Sequence, residues 1–202
     1  NYIKQGWINR NRILINGSEY MFTVPVHKQS SFTLIKDVEI ENLSSFRHKF
    51  IKQITQAYKD APYFENGLKY VEEVLLSDAI SISELSINSI TIFYKIFGRH
   101  KRFVSSSECY AATRALKKHH RVLEIVKQTN FSCYINAIGG QDIYDKNFFE
   151  AQGIKLGFVE SWFNPYKQVR QKNFISGLSI IDIVMNNSIS SVQNLLLDYK
   201  VI

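Results

Sequence analysis

Between Leu116 and Val159 the side-chain pattern changes period repeatedly, and no other stretch limits the fold as much. Leu116, His119, Leu123 and Val126 recur at helical spacing. Phe131 to Ile138 reads as a strand that ends in Gly139-Gly140. Asp145 to Gln152 reads as a short helix with Gly153 after it, and Lys155 to Val159 as another strand. Helix, strand, glycine turn, helix, strand is the rhythm of an α/β sheet, whose parallel strands need crossover connections. The expected fold class is therefore α/β. It is a single, three-layer-like domain over residues 1–202, with a small mixed sheet flanked by helices.

The N-terminal region predicts a β-hairpin. Arg12-Ile13-Leu14-Ile15 runs into Asn16-Gly17, a strong two-residue turn signal, and Glu19 to Val24 resumes in strand-forming residues until Pro25. A further strand is expected over Thr33 to Ile40. Phe46, Phe50, Ile54 and Ala57 then mark an amphipathic helix stopped by Ala61-Pro62. Gly67 to Leu76 reads as a second helix. Ser81 with Glu84 reads as a capping box for a third, ending at Gly98. Arg102-Phe103-Val104 predicts a short strand, and two helices close the chain over Ser179 to Asn186 and Ser190 to Tyr199.

With 202 residues, 45% hydrophobic and 21% charged, the chain can bury a core. The 14 Phe and 11 Tyr exclude a disordered composition, and two cysteines exclude a disulfide scaffold. Cys109 and Cys133 are expected to be buried free thiols in a reducing cytoplasm. No metal and no cofactor are expected, because no Cys/His cluster, dinucleotide fingerprint or phosphate-binding P-loop is present. No apolar run reaches the length of a membrane span, so a cytoplasmic protein with no membrane partner is expected. The first residues are polar and lack an initiator Met, which predicts a truncated or processed N-terminus. The net charge of +7 favours anionic partners. Nucleic acid is the weaker of these, since no recognised nucleic-acid module accompanies the charge.

Several groups of residues could carry chemistry. Gly139 and Gly140, followed by Gln141, Asp142 and Tyr144, could admit a ligand to the backbone and hold a phosphate or carboxylate. The alternative is a tight turn with an acidic residue capping a helix. Asn9, Arg10 and Arg12 beside Trp7 could grip a sugar or phosphate, or could form a solvated edge strand. Tyr166 and Gln168 share a face if their loop is extended. Asp182, set among Ile180, Ile181, Ile183 and Val184, must find partners or its pKa rises, and a raised pKa suits a general base. His27 could act as a base and Lys28 as a phosphate contact. No Ser/His or Cys/His pairing names a catalytic triad.

Taken together, several segments resemble the WbqC-like family. They are Tyr2 to Ile13, Thr23-Val24-Pro25-Val26, Ala61-Pro62-Tyr63-Phe64, Arg121 to Ile125, Tyr134 to Gln141, and Leu178 to Asp182. Their order is that of the family. The resemblance implies an upstream strand with an aromatic, proline-containing motif. It further implies a role in bacterial O-antigen or other surface-polysaccharide biosynthesis, where a transferase moves a glycyl or other acyl group onto an amino sugar. On that reading Asp182 or His27 is the base, and the Gly139 and Gly140 N–H groups hold the oxyanion. Arg10, Arg12 and Lys28 hold phosphates, and Asn9, Tyr144, Tyr166 and Gln168 contact substrate. The implied partners are a nucleotide-linked amino sugar and an acyl carrier protein. The alternative is a non-catalytic nucleotide-sugar or glycan-binding accessory protein.

Overall fold

A computed structural model describes residues 1–30, 32–98 and 101–202. In chain order the strands are β1 (Arg10–Ile15), β2 (Ser18–Thr23), β3 (Cys133–Ala137), β4 (Lys155–Ser161) and β5 (Tyr199–Val201). The helices are α1 (Leu43–Tyr58), α2 (Phe64–Leu75), α3 (Ile82–Ile96), α4 (Ser106–Cys109), α5 (Lys118–Gln128), α6 (Lys146–Glu150), α7 (Ile180–Asn186) and α8 (Ile189–Leu195). The fold is mixed α/β, and the chain forms two compact units.

The first unit comprises Asn1–Lys101 and Phe163–Leu195. Its hairpin pairs β1 with β2, Arg10 opposite Thr23 and Ile15 opposite Ser18. Asn16 (φ 51°) and Gly17 (φ 77°) are both left-handed, as a primed turn matching the strand twist requires. Ile13 and Leu14 are both buried, so the hairpin packs on two sides. Helix α1 starts at Asn42, whose side chain accepts from the Ser45 N–H at 3.0 Å. Helix α3 has the full capping box: Ser81 Oγ accepts from the Glu84 N–H, and Glu84 Oε2 accepts from the Ser81 N–H. Helices α2 and α7 approach closely at Gly67, where a Cβ would lie 2.5 Å from Met185 Sδ. Residues Thr33 to Ile40 do not form the expected strand. Ile35–Asp37 is a 3-10 turn, followed by isolated bridges from Ile40 to Val26 and from Glu39 to Ser81. Val38 is fully buried, and the Ile82 N–H donates to its carbonyl at 2.9 Å. This segment is held between two others by single bridges, too few for a ladder.

The second unit comprises Arg102–Trp162 and Leu196–Ile202. Its sheet has the order β3-β4-β5, with β3 and β4 parallel and β5 antiparallel to β4. Helix α6 lies on the crossover between β3 and β4. The core joins Leu123 and Val126 of α5 to Phe149, Ile154, Leu156 and Phe158. Arg102, Phe103 and Val104 are exposed and form no strand. The third place in the sheet goes to Tyr199–Val201, whose first residue the sequence pattern places at the end of the last helix. The apolar run Leu195-Leu196-Leu197 extends the helical pattern past α8, although the chain has already left the helix. Both cysteines are free, as expected, but exposed and not buried. Cys133 shares the exposed phase of β3 with Ile135 and Ala137, and Cys109 ends a one-turn helix with no buried residue.

Candidate functional site

Helix α7 carries the most tightly organised polar cluster. Ser179 caps it, its Oγ accepting from the Ile181 N–H, and Asp182 sits in its first turn. The helix dipole favours a carboxylate there. Asp182 is fully buried and accepts three side-chain hydrogen bonds: from Tyr58 Oη at 2.9 Å, Tyr166 Oη at 2.6 Å and Gln168 Nε2 at 2.9 Å. The cluster extends further. Tyr58 Oη also accepts from the Leu14 N–H of β1 at 3.0 Å. Gln168 bonds both backbone groups of Ile175, and Asn186 accepts from the Val169 N–H. Burial, and after it the charge of Asp182, pushes the Tyr58 and Tyr166 hydroxyls well above the usual tyrosine pKa. Both therefore stay protonated and act as donors. Asp182 thus ties the hairpin, α1 and the 166–177 loop to α7.

Beside this cluster the same unit contains a half-open cavity of about 290 Å³. Its apolar wall comes from Phe22, Phe46, Phe50, Val71, Val74, Leu75, Ile82 and Leu85, with Ile180 and Ile181 of α7. The three Phe rings pack together, Phe50 lying 4.6 Å from Phe22 and 5.1 Å from Phe46 between centroids. Asn9, Arg10, Asn11, Ser86, Ser89 and Ser179 supply the polar lining, and Trp7 joins them. An apolar cavity with a few convergent polar groups has the form of a small-molecule site.

Three of the residues singled out in the sequence meet: Asp182, Tyr166 and Gln168. Asn9 and Arg10 line the cavity. Asn9 is buried, with Nδ2 donating to the Val24 carbonyl at 2.9 Å. Arg10 Nε donates to the Gly6 carbonyl and Nη2 to Gln5, while Nη1 has no hydrogen-bond partner among the described residues. Arg12 turns elsewhere. It pairs with Glu19 at 2.7 Å, donates to the Gly177 carbonyl at 2.9 Å and lies 5.5 Å from the Trp7 ring centroid. His27 and Lys28 are exposed and line none of the cavities described here. Gly139, Gly140 and Tyr144 belong to the second unit. Neither of that glycine pair has a left-handed φ, so the turn does not use the freedom expected of it. A Cβ at Gly140 would lie 2.7 Å from Asn136 Nδ2, whereas Gly139 faces open space. Tyr144 packs edge-on against Tyr134 and Phe149.

Sequence reasoning missed Tyr58, Ser86 and Ser89. Tyr58 directly follows the apolar stripe of α1, and its burial could have been read from that phase. The serines lie in α3 with Ser86 one turn beyond Ile82, and nothing in the sequence separates them from surface serines.

Among the described residues no three His, Cys, Asp or Glu side chains gather as a metal site, and no helix is long and apolar enough to cross a membrane. The WbqC-like protein family matches residues 1–194, and the chain belongs to that family. No curated protein and no solved structure matches it.

Proposed function

We propose that this WbqC-like protein is a cytoplasmic transferase of surface-polysaccharide biosynthesis, moving a glycyl or other acyl group from a carrier onto a nucleotide-linked amino sugar. One observation carries the reading: an apolar cavity beside Arg10 and Asn11, braced by the Asp182 cluster. Both residues line the cavity, and Asn11, opposite Phe22 in the hairpin, makes no hydrogen bond through Nδ2 among the described residues and can donate it to an anionic or carbonyl oxygen. The substrate class is the one that the resemblance implies.

In the reaction the sugar amine attacks the acyl carbonyl carbon. A C–N bond forms, the bond from that carbon to the carrier breaks, and the amine proton passes to a base or to water. Among the described residues no His, Lys, Asp or Glu lines the cavity, so in this proposal the amine proton passes to water. Asp182 already accepts three hydrogen bonds and acts as a positioning residue, holding α7 and therefore Ile180 and Ile181 against the cavity. Asn11, opposite Phe22 in the hairpin, donates to the oxygen on which charge develops, and Arg10, also in the lining, adds positive charge.

The saturation of Asp182 also favours a second reading, a non-catalytic nucleotide-sugar-binding accessory protein. The experiment is incubation with nucleotide-linked amino sugars and a charged acyl carrier, followed by mass spectrometry of the sugar. Acyl mass addition is expected. Tight sugar binding that survives Asp182→Asn, with no product from any pair, would replace the transferase by the binding protein.

A further inference from the structure

We infer that the cavity of the first unit takes the hydrocarbon chain of an acyl group, carboxyl or thioester end toward Arg10 and Asn11, and does not take a glycyl group. The role of this chain as donor rests on the transferase reading; its seat in the cavity does not.

Three observations converge. The first is the wall. The cavity is bounded by Phe22, Phe46, Phe50, Val74, Leu75 and Leu85, so a ligand that fills it must give up water for apolar contact. The second is charge. Among the described lining residues Arg10 is the only charged one, and no carboxylate joins it. A glycyl group carries an ammonium. Placed here it would lose its hydration, meet a guanidinium and find no counter-ion. An acyl chain has no charge to lose, and its oxygen end suits Asn11 Nδ2 and the positive charge of Arg10. The third is size. An apolar cavity of about 150 Å³ holds a benzene molecule, so about 290 Å³ has room for roughly a dozen carbon atoms. A glycyl group would leave most of that volume empty.

The test uses the full chain carrying Trp162→Phe, so that Trp7 at the cavity reports alone. It is titrated with straight-chain carboxylates from butanoate to tetradecanoate, with the matching N-acetylcysteamine thioesters, and with the glycyl thioester. The dissociation constant is expected to fall about fourfold per added methylene. It should level off near ten to twelve carbons, and the glycyl thioester should not bind. Ser89→Leu, which adds volume inside the cavity, should weaken the longest chains at least tenfold and move the plateau to shorter ones. Arg10→Gln should weaken carboxylates more than thioesters. If only carboxylates bind, the occupant is a free acid; if both do, it is a carrier-borne chain. A flat length series, or glycyl binding as tight as octanoyl, would overturn the inference. Should chains bind while no acyl transfer occurs, the transferase reading falls and the cavity assignment stands. Should glycyl transfer occur beside a flat series, the reverse holds.

Discussion

Asp182, Tyr58, Tyr166 and Gln168 form a closed set in which each polar atom answers another, and the energetics follow from leaving one unanswered. Tyr58→Phe removes the hydroxyl that joins the Leu14 N–H to the carboxylate, stranding buried groups on both sides. A cost of about 2 to 3 kcal/mol is expected in urea unfolding, because stranded buried groups cost about 1 to 3 kcal/mol. A cost below about 0.5 kcal/mol would mean the set is not closed. Alkaline pH acts on the same residues. Tyr58, Tyr70 and Tyr166 have pKa values raised chiefly by burial, and Tyr134 is pushed up to about 12. The unfolded chain releases these protons near pH 10, whereas the folded chain keeps them. Stability from this source is complete below about pH 10 and is lost as pH rises above it. The urea midpoint should hold between pH 8 and 9.5 and fall steadily by pH 11. A midpoint flat to pH 11 would contradict the burial.

Among the elements, those with a local signature were legible in the sequence. Asn16-Gly17 fixes the hairpin, Ser81 and Glu84 start α3, and the spacing of Phe46, Phe50 and Ile54 gives α1. The parallel pair was legible too, because glycines and a short helix separate two β-rich runs. Elements defined by a partner were not. Phe103 and Val104 look like a strand but form none, while Tyr199–Val201 becomes one because β4 offers an edge. The same limit applies to the candidate site. Asp182 announced its need for partners, but Tyr58 lies 124 residues away and only packing brings it there. Two glycines test these elements. Gly17→Ala puts a side chain at φ 77° and should destabilise the hairpin by about 1 kcal/mol or more. Gly67→Ala drives a Cβ into Met185 Sδ and should cost about 1 to 3 kcal/mol by differential scanning calorimetry. Wild-type stability in both would mean that neither the turn nor the α2–α7 contact is as described.

For the whole molecule the two compact units pose a question of cooperativity. The sequence reads as one domain, and the family match runs through both units. Trp7 belongs to the first unit and Trp162 to the second. A single domain requires chains carrying Trp7→Phe or Trp162→Phe to show coincident urea transitions by fluorescence. Separate midpoints would make each unit its own folding domain. The charge of +7 belongs to this scale as well, since a net positive field draws anions in general.

The most direct measurement is acyl transfer to a nucleotide-linked amino sugar by the full chain and by Ser89→Leu, both checked to melt at the same temperature. If the cavity holds a substrate of the reaction, kcat/KM should fall at least a hundredfold when Leu occupies it. Equal turnover by both proteins would show that the chemistry takes place elsewhere.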